Sequence, residues 1–141
     1  MFFFEYTMTL EIYYKIKVPQ GKVKDKVTNM ISKTMTEIKS HEQLNKILNS
    51  TEPLFIYKHS TRCNICTDAF EVIEDTFGKD VQNLPPVYYL DLLSLRSISN
   101  EIEERLNVVH QSPQLILVKN GAAVWHMSHW KITKESILEA V

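Results

Sequence analysis

From residue 40 onward the apolar residues fall into blocks of two kinds. "PLFIYKH" (53–59), "PPVYYLDLL" (85–93) and "QLILV" (114–118) are continuous apolar runs, the pattern of strands buried on both faces. Between them, Leu44, Ile47 and Leu48, then Phe70, Ile73 and Phe77, then Ile98, Ile102 and Leu106 recur at helical spacing. Ser40 with Gln43 fits a capping box at the start of the first helix, and Gly78 is placed to end the second in a left-handed conformation. In "QLILVKNGAAVWHM" the Asn120-Gly121 step separates two apolar runs and predicts a tight hairpin. A last amphipathic stretch runs from Thr133 through Ile137 and Leu138 to Val141. The order is therefore helix, strand, helix, strand, helix, strand, strand, helix. A helical crossover makes the strands it joins parallel, whereas a hairpin must be antiparallel. The pattern predicts an α/β domain: a mixed four-stranded sheet flanked by helices.

Upstream the pattern is lost. Six of the fourteen aromatics lie in residues 1–14, and "PQGKVKDKVTNMISKT" has no convincing period of 2 or 3.6, so it reads as a weakly structured polar connector. Residues 1–41 carry seven lysines against four acids, while residues 42–141 carry nine basic residues against thirteen acids, a change from +3 to −4. The expected division is an N-terminal extension over 1–39 and a domain over 40–141. The simplest reading of residues 1–34 is a stretch with no function of its own, for instance an upstream start assigned in place of Met30 or Met35. The competing reading is a short β extension at "LEIYYKIKV", which needs a partner sheet to be stable.

A chain of 141 residues with 44% hydrophobic residues can bury one sizeable core, and a net charge of −1 gives no reason to expect nucleic acid or an anionic membrane as partner. No apolar run approaches the length needed to cross a bilayer. Phe2, Phe3 and Phe4 are followed by Glu5, with no basic residue before them and no small-residue cleavage site after, so no secretion signal is expected. The expected compartment is a reducing cytoplasm. No glycine-rich phosphate loop is present.

The two cysteines, Cys63 and Cys66, stand three positions apart in "KHSTRCNICTDAF", after a strand and at the opening of a helix. Unpaired N–H groups and the dipole at a helix start favour a thiolate at Cys63, and Lys58 and Arg62 lie nearby in sequence. Cys66 falls one turn on along the same face, so the two sulfurs can meet. An attacking thiol with a resolving thiol beside it is the minimum equipment for thiol–disulfide exchange. The alternatives are two small residues that pack without reacting, or half of a zinc site. Zinc would have to recruit His59, His110 or another distant histidine, so no metal is expected. His59 and His110 are candidates for proton transfer, with an ordinary satisfied histidine as the plainer reading. Trp125 and Trp130, with His126 and His129, read as packing and hairpin edge, and Asp91 as a strand end. Pro113 can only open the strand that follows it, and Ser112–Pro113 is a candidate cis peptide.

This architecture, with the cysteine pair at a strand-to-helix turn and a proline opposite, resembles the thioredoxin fold. "KHSTRC" (58–63), "HQSPQ" (110–114) and "NGAAVWHMSHW" (120–130) resemble the monothiol bacilliredoxin family of the bacillithiol system, over roughly residues 40–132. The resemblance implies a redox-homeostasis enzyme that removes bacillithiol from mixed disulfides on protein cysteines after oxidative stress. It makes Cys63 the nucleophile and Pro113 a cis-proline that holds the substrate backbone. Thr61, Arg62 and Ser112, beside that cysteine and proline, complete the expected substrate-binding set. The implied co-substrate is bacillithiol, with no bound cofactor. The implied partners are bacillithiolated or disulfide-containing proteins and a thiol or disulfide reductase for recycling. The sequence departs from the family's usual Cys-Pro-Ile-Ser at Asn64 and at Cys66, and the second departure offers an internal disulfide as an intermediate. Two other functions stand beside this one: a general dithiol reductant of thioredoxin or glutaredoxin type, and a non-catalytic thioredoxin-like binding module.

Overall fold

The computed structural model describes residues 34–80 and 83–141. The expectations placed on residues 1–33 lie outside them. Along the chain run β1 (Met35–Glu37), α1 (His41–Leu48), β2 (Leu54–His59), α2 (Asn64–Asp75), a π-helical turn (Thr76–Asp80), β3 (Val87–Asp91), α3 (Arg96–Leu106), β4 (Gln114–Lys119), β5 (Ala122–Ser128), a 3-10 turn (His129–Lys131) and α4 (Lys134–Ala140). The strands form one sheet in the order β1-β3-β2-β4-β5. β3 is parallel to both β1 and β2, while β4 is antiparallel to β2 and β5.

Among the described residues the sheet has five strands, where the sequence predicts four. The additional strand, β1, is only three residues long, too short for any period to show. It pairs with β3 from Met35↔Val87 to Glu37↔Tyr89, and the Ile38 N–H then donates to the Tyr89 carbonyl at 2.8 Å. Met35 and Ile38 are buried, so residues ahead of position 40 contribute to both sheet and core.

Strand alternation builds a core on each face. Leu54, Ile56, Leu90, Ile116 and Val118 pack with Leu44, Ile47 and Leu48 of α1 and Ile98, Ile102 and Leu106 of α3. Phe55, Tyr57, Tyr89, Leu115 and Leu117 pack with Ala69, Phe70 and Ile73 of α2 and Ile137 of α4. In the hairpin, Asn120 and Gly121 form a two-residue loop with φ of 52° and 74°, the left-handed pair that matches strand twist. Gly78 differs from expectation. α2 gives way at Asp75 to the π-helical turn, where the Thr76 hydroxyl donates to the Val72 carbonyl at 2.7 Å, and Gly78 lies within that turn without a left-handed φ.

The topology fixes where chemistry can occur. β2 ends at His59, and because β4 is antiparallel its first residue, Gln114, pairs with Lys58. The turn into α2 and the chain leading to Pro113 therefore lie at the same end of adjacent strands.

Candidate active site

After β2 the chain turns sharply, with the Cys63 N–H donating to the Ser60 carbonyl at 3.2 Å. Cys63 is the N-cap of α2, in extended conformation and with no side-chain cap bond, so its sulfur is not committed to the helix it opens. It is partly exposed, whereas Cys66 is completely buried, and both are free thiols. An accessible sulfur beside a buried one suits sequential attack, since a substrate can reach only the first.

Cys66 Sγ lies 3.3 Å from the Ser112 Oγ, and the Ser112–Pro113 peptide bond is cis. Burial pushes the Cys66 thiol up. The Ser112 hydroxyl and the backbone at Ser60 act in the opposite direction, and Cys63 adds to the rise. At neutral pH the Cys66 thiol is therefore held in its protonated form. The 3-10 turn joins this site through the His129 N–H, which donates to the Pro113 carbonyl at 3.1 Å. Gln114, wholly buried, steadies the approach to the proline. Its Nε2 donates to the Val109 carbonyl at 3.0 Å and its Oε1 accepts from the Gln111 N–H at 3.4 Å. Thr61 and Arg62 are exposed on the β2–α2 turn, where the Arg62 backbone N–H donates to Ser60 Oγ.

Beneath the helix, the Tyr57 hydroxyl is 2.9 Å from both the Cys66 carbonyl and His59 Nδ1. A phenol has one proton, and the carbonyl can only accept it, so the hydroxyl accepts from His59, whose Nδ1 carries a proton. Burial pushes the Tyr57 phenol far up and keeps it neutral. Tyr57 thereby holds the backbone of α2 directly at Cys66.

Lys58 does not reach the sulfurs. One position along a strand reverses the face, so its Nζ lies on the α3 side, completely buried, donating to the Ser99 carbonyl at 3.2 Å and to His110 Nδ1 at 3.3 Å. His110 must be neutral to accept. Burial pushes its imidazole down, and the neighbouring Lys58 and Arg96 push in the same direction. Both histidines near the turn are thus engaged in buried or partly buried networks. Asp91 is satisfied locally, accepting from the Leu93 N–H at 3.2 Å and the Ser94 hydroxyl at 2.9 Å. Trp125 packs edge-on against Phe55, whereas Trp130 is exposed.

The structure therefore brings together Cys63, Cys66, Ser112 and Pro113, with Thr61 and Arg62 on the adjoining rim. Sequence reasoning missed Tyr57, Gln114 and the His129 backbone. Tyr57 had a signal: it shares its strand face with Phe55 and His59, the face that α2 covers. Among the described residues, no group of three or more His, Cys, Asp or Glu is arranged to hold a metal. No described helix is long and apolar enough to cross a membrane.

Solved structures with similar folds include a protein described as a candidate oxidoreductase with a thioredoxin fold, 27% identical over 78% of this chain and 96% of its own, with a TM-score of 0.69. The thioredoxin of Malassezia sympodialis is 17% identical, covers 75% of this chain and 86% of its own, and has a TM-score of 0.63. The thioredoxin of Trypanosoma brucei brucei is 14% identical over 77% and 88%, with a TM-score of 0.63. These two show the fold alone. Residues 36–137 match the family model described as monothiol bacilliredoxin BrxC.

Proposed function

The chain belongs to the monothiol bacilliredoxin family and is a thiol–disulfide oxidoreductase of thioredoxin fold, and from that premise we propose that it reduces bacillithiol mixed disulfides on protein cysteines in the cytoplasm, using two cysteines. The observation that carries this reading is the partly exposed Cys63 at the start of α2 with a buried Cys66 one turn on, facing Ser112 and the cis-proline. The Cys63 thiolate attacks the bacillithiol sulfur of the mixed disulfide, and the protein cysteine leaves as a thiolate that takes up a proton. Cys63 then carries bacillithiol. Cys66 attacks the Cys63 sulfur, bacillithiol departs as a thiol, and an internal disulfide remains for a thiol or a disulfide reductase to reduce. Pro113 and Ser112 border the substrate backbone, with Thr61 and Arg62 on the exposed rim. No bound cofactor takes part.

The test presents wild type, Cys63→Ser and Cys66→Ser with a bacillithiolated protein, a glutathionylated protein and a protein with an internal disulfide. Cys63→Ser should lose all activity, and any retained turnover would remove Cys63 as nucleophile. Cys66→Ser should turn over only when free bacillithiol is supplied. Cys66 itself favours a second reading, a general dithiol reductant, and equal rates on all three targets would select it.

A further inference from the structure

We propose that Ser112 is a catalytic residue of the second half-reaction, its hydroxyl activating Cys66 for attack on the Cys63 mixed disulfide. This rests on the two-cysteine reading above and assigns to Ser112 a task beyond bordering the substrate. The problem it answers is set by burial: Cys66 is completely enclosed, and its thiol must become a thiolate to attack. The neighbours that could assist are few. The Tyr57 proton is committed to the Cys66 carbonyl rather than to the sulfur. The Ser112 hydroxyl and the backbone at Ser60 favour the Cys66 thiolate, and Cys63 opposes it. Once Cys63 is bonded to a small thiol it is no longer a thiolate, so its effect on Cys66 is gone and Ser112 and Ser60 remain. Ser60 acts through its backbone, so only Ser112 meets the sulfur with a rotatable O–H, able to accept from Cys66 as a thiol and to donate to it as a thiolate.

The step balances without another reactant. The Cys66 thiolate forms a bond to Cys63 Sγ as the bond between Cys63 Sγ and the small thiol breaks. The electron pair leaves with the small thiol, which takes up the proton that Cys66 lost. Ser112 exchanges no proton overall; it lowers the cost of the buried thiolate that precedes attack.

The experiment uses the full chain and 5,5′-dithiobis(2-nitrobenzoate). Attack by Cys63 releases one coloured thiolate, and ring closure by Cys66 releases a second, so stopped-flow absorbance separates the two steps and ring closure is read from an adduct already formed. Wild type should show both phases, and Cys66→Ser only the first. A wild type with one phase overturns the two-cysteine reading and this assignment with it. Ser112→Thr and Ser112→Val are equal in size and differ in the hydroxyl. Across a pH series, Ser112→Thr should keep the wild-type midpoint for the second phase. Ser112→Val should raise it by about one pH unit, slowing ring closure roughly tenfold at neutral pH, as expected when a hydrogen bond to a charged group is lost. A second phase with the wild-type midpoint in Ser112→Val overturns the assignment alone. So does slowing by the same factor at every pH, which is the mark of a structural effect.

Discussion

Tyr57 and Lys58 are neighbours in the chain but serve opposite faces of the sheet, and both are removed from water. Tyr57 holds α2 at Cys66 through a neutral hydroxyl. Lys58 carries its ammonium into the layer between the sheet and α3, beneath the chain that leads to Pro113. Burial lowers its pKa from an ordinary 10.5 to about 8, with Glu103 opposing and Arg96 assisting. Between those values the unfolded chain holds a proton that the folded chain has released, so the wild type gains stability as pH rises through that window. The cost of the buried charge is present below pH 8 and gone above 10.5. Urea unfolding of wild type and Lys58→Met should therefore show the difference between them moving by about 3 kcal/mol in favour of the wild type from pH 8 to 10.5. A pH-independent difference would show that Lys58 titrates at its ordinary value.

Among the elements, helix ends and the hairpin carry the most local information. Ser40 caps α1 by accepting from the Gln43 N–H at 3.1 Å, but the Gln43 side chain accepts from the Lys39 N–H at 2.8 Å rather than from Ser40. One half of the capping box is therefore displaced by a residue, while at α4 Thr133 and Ser136 complete theirs. The two glycines among the described residues contrast in the same way. At Gly121, φ is 74° and an added Cβ would stand 2.9 Å from the Leu48 carbonyl oxygen. At Gly78 the nearest atom to such a Cβ would be Thr34 Oγ1 at 3.8 Å, an ordinary contact. Gly121→Ala should lower stability by about 2 kcal/mol or more through strain and the clash with backbone. Gly78→Ala should be neutral or stabilising by up to about 1 kcal/mol. Thermal unfolding of both variants measures this, and equal effects would contradict the assigned conformations.

For the molecule as a whole, the strand that escaped the sequence pattern closes the sheet edge. β1 covers one side of β3 and adds Met35 and Ile38 to the two cores, one on each face. We propose that the folded unit includes this strand, ahead of the 39/40 boundary. A chain shortened to begin at residue 40 should be less stable than one beginning at residue 34 by about 3 to 6 kcal/mol, from two fully buried side chains. It should also associate through the uncovered β3 edge. Denaturant titration with light scattering checks both, and equal stability of the two chains would place β1 outside the cooperative fold.

The sequence by itself determined the order of the main elements, the mixed sheet, the hairpin at Asn120-Gly121 and the position of Cys63 at a helix start. Each of these is written in a local pattern: a run, a period or a turn signal that repeats the same information over several residues. The tertiary structure decided what depends on a single distant contact. β1 has no period of its own and exists because the β3 edge is there to pair with it. The face on which Lys58 lies follows from the register of β2, and the pairing of Lys58 with Gln114 brings the two ends of the site together. Cys66 and Ser112 are 46 positions apart and meet at 3.3 Å only because β4 returns antiparallel to β2. A cysteine pair can be read along the chain, but the hydroxyl that serves its buried member is supplied by the fold.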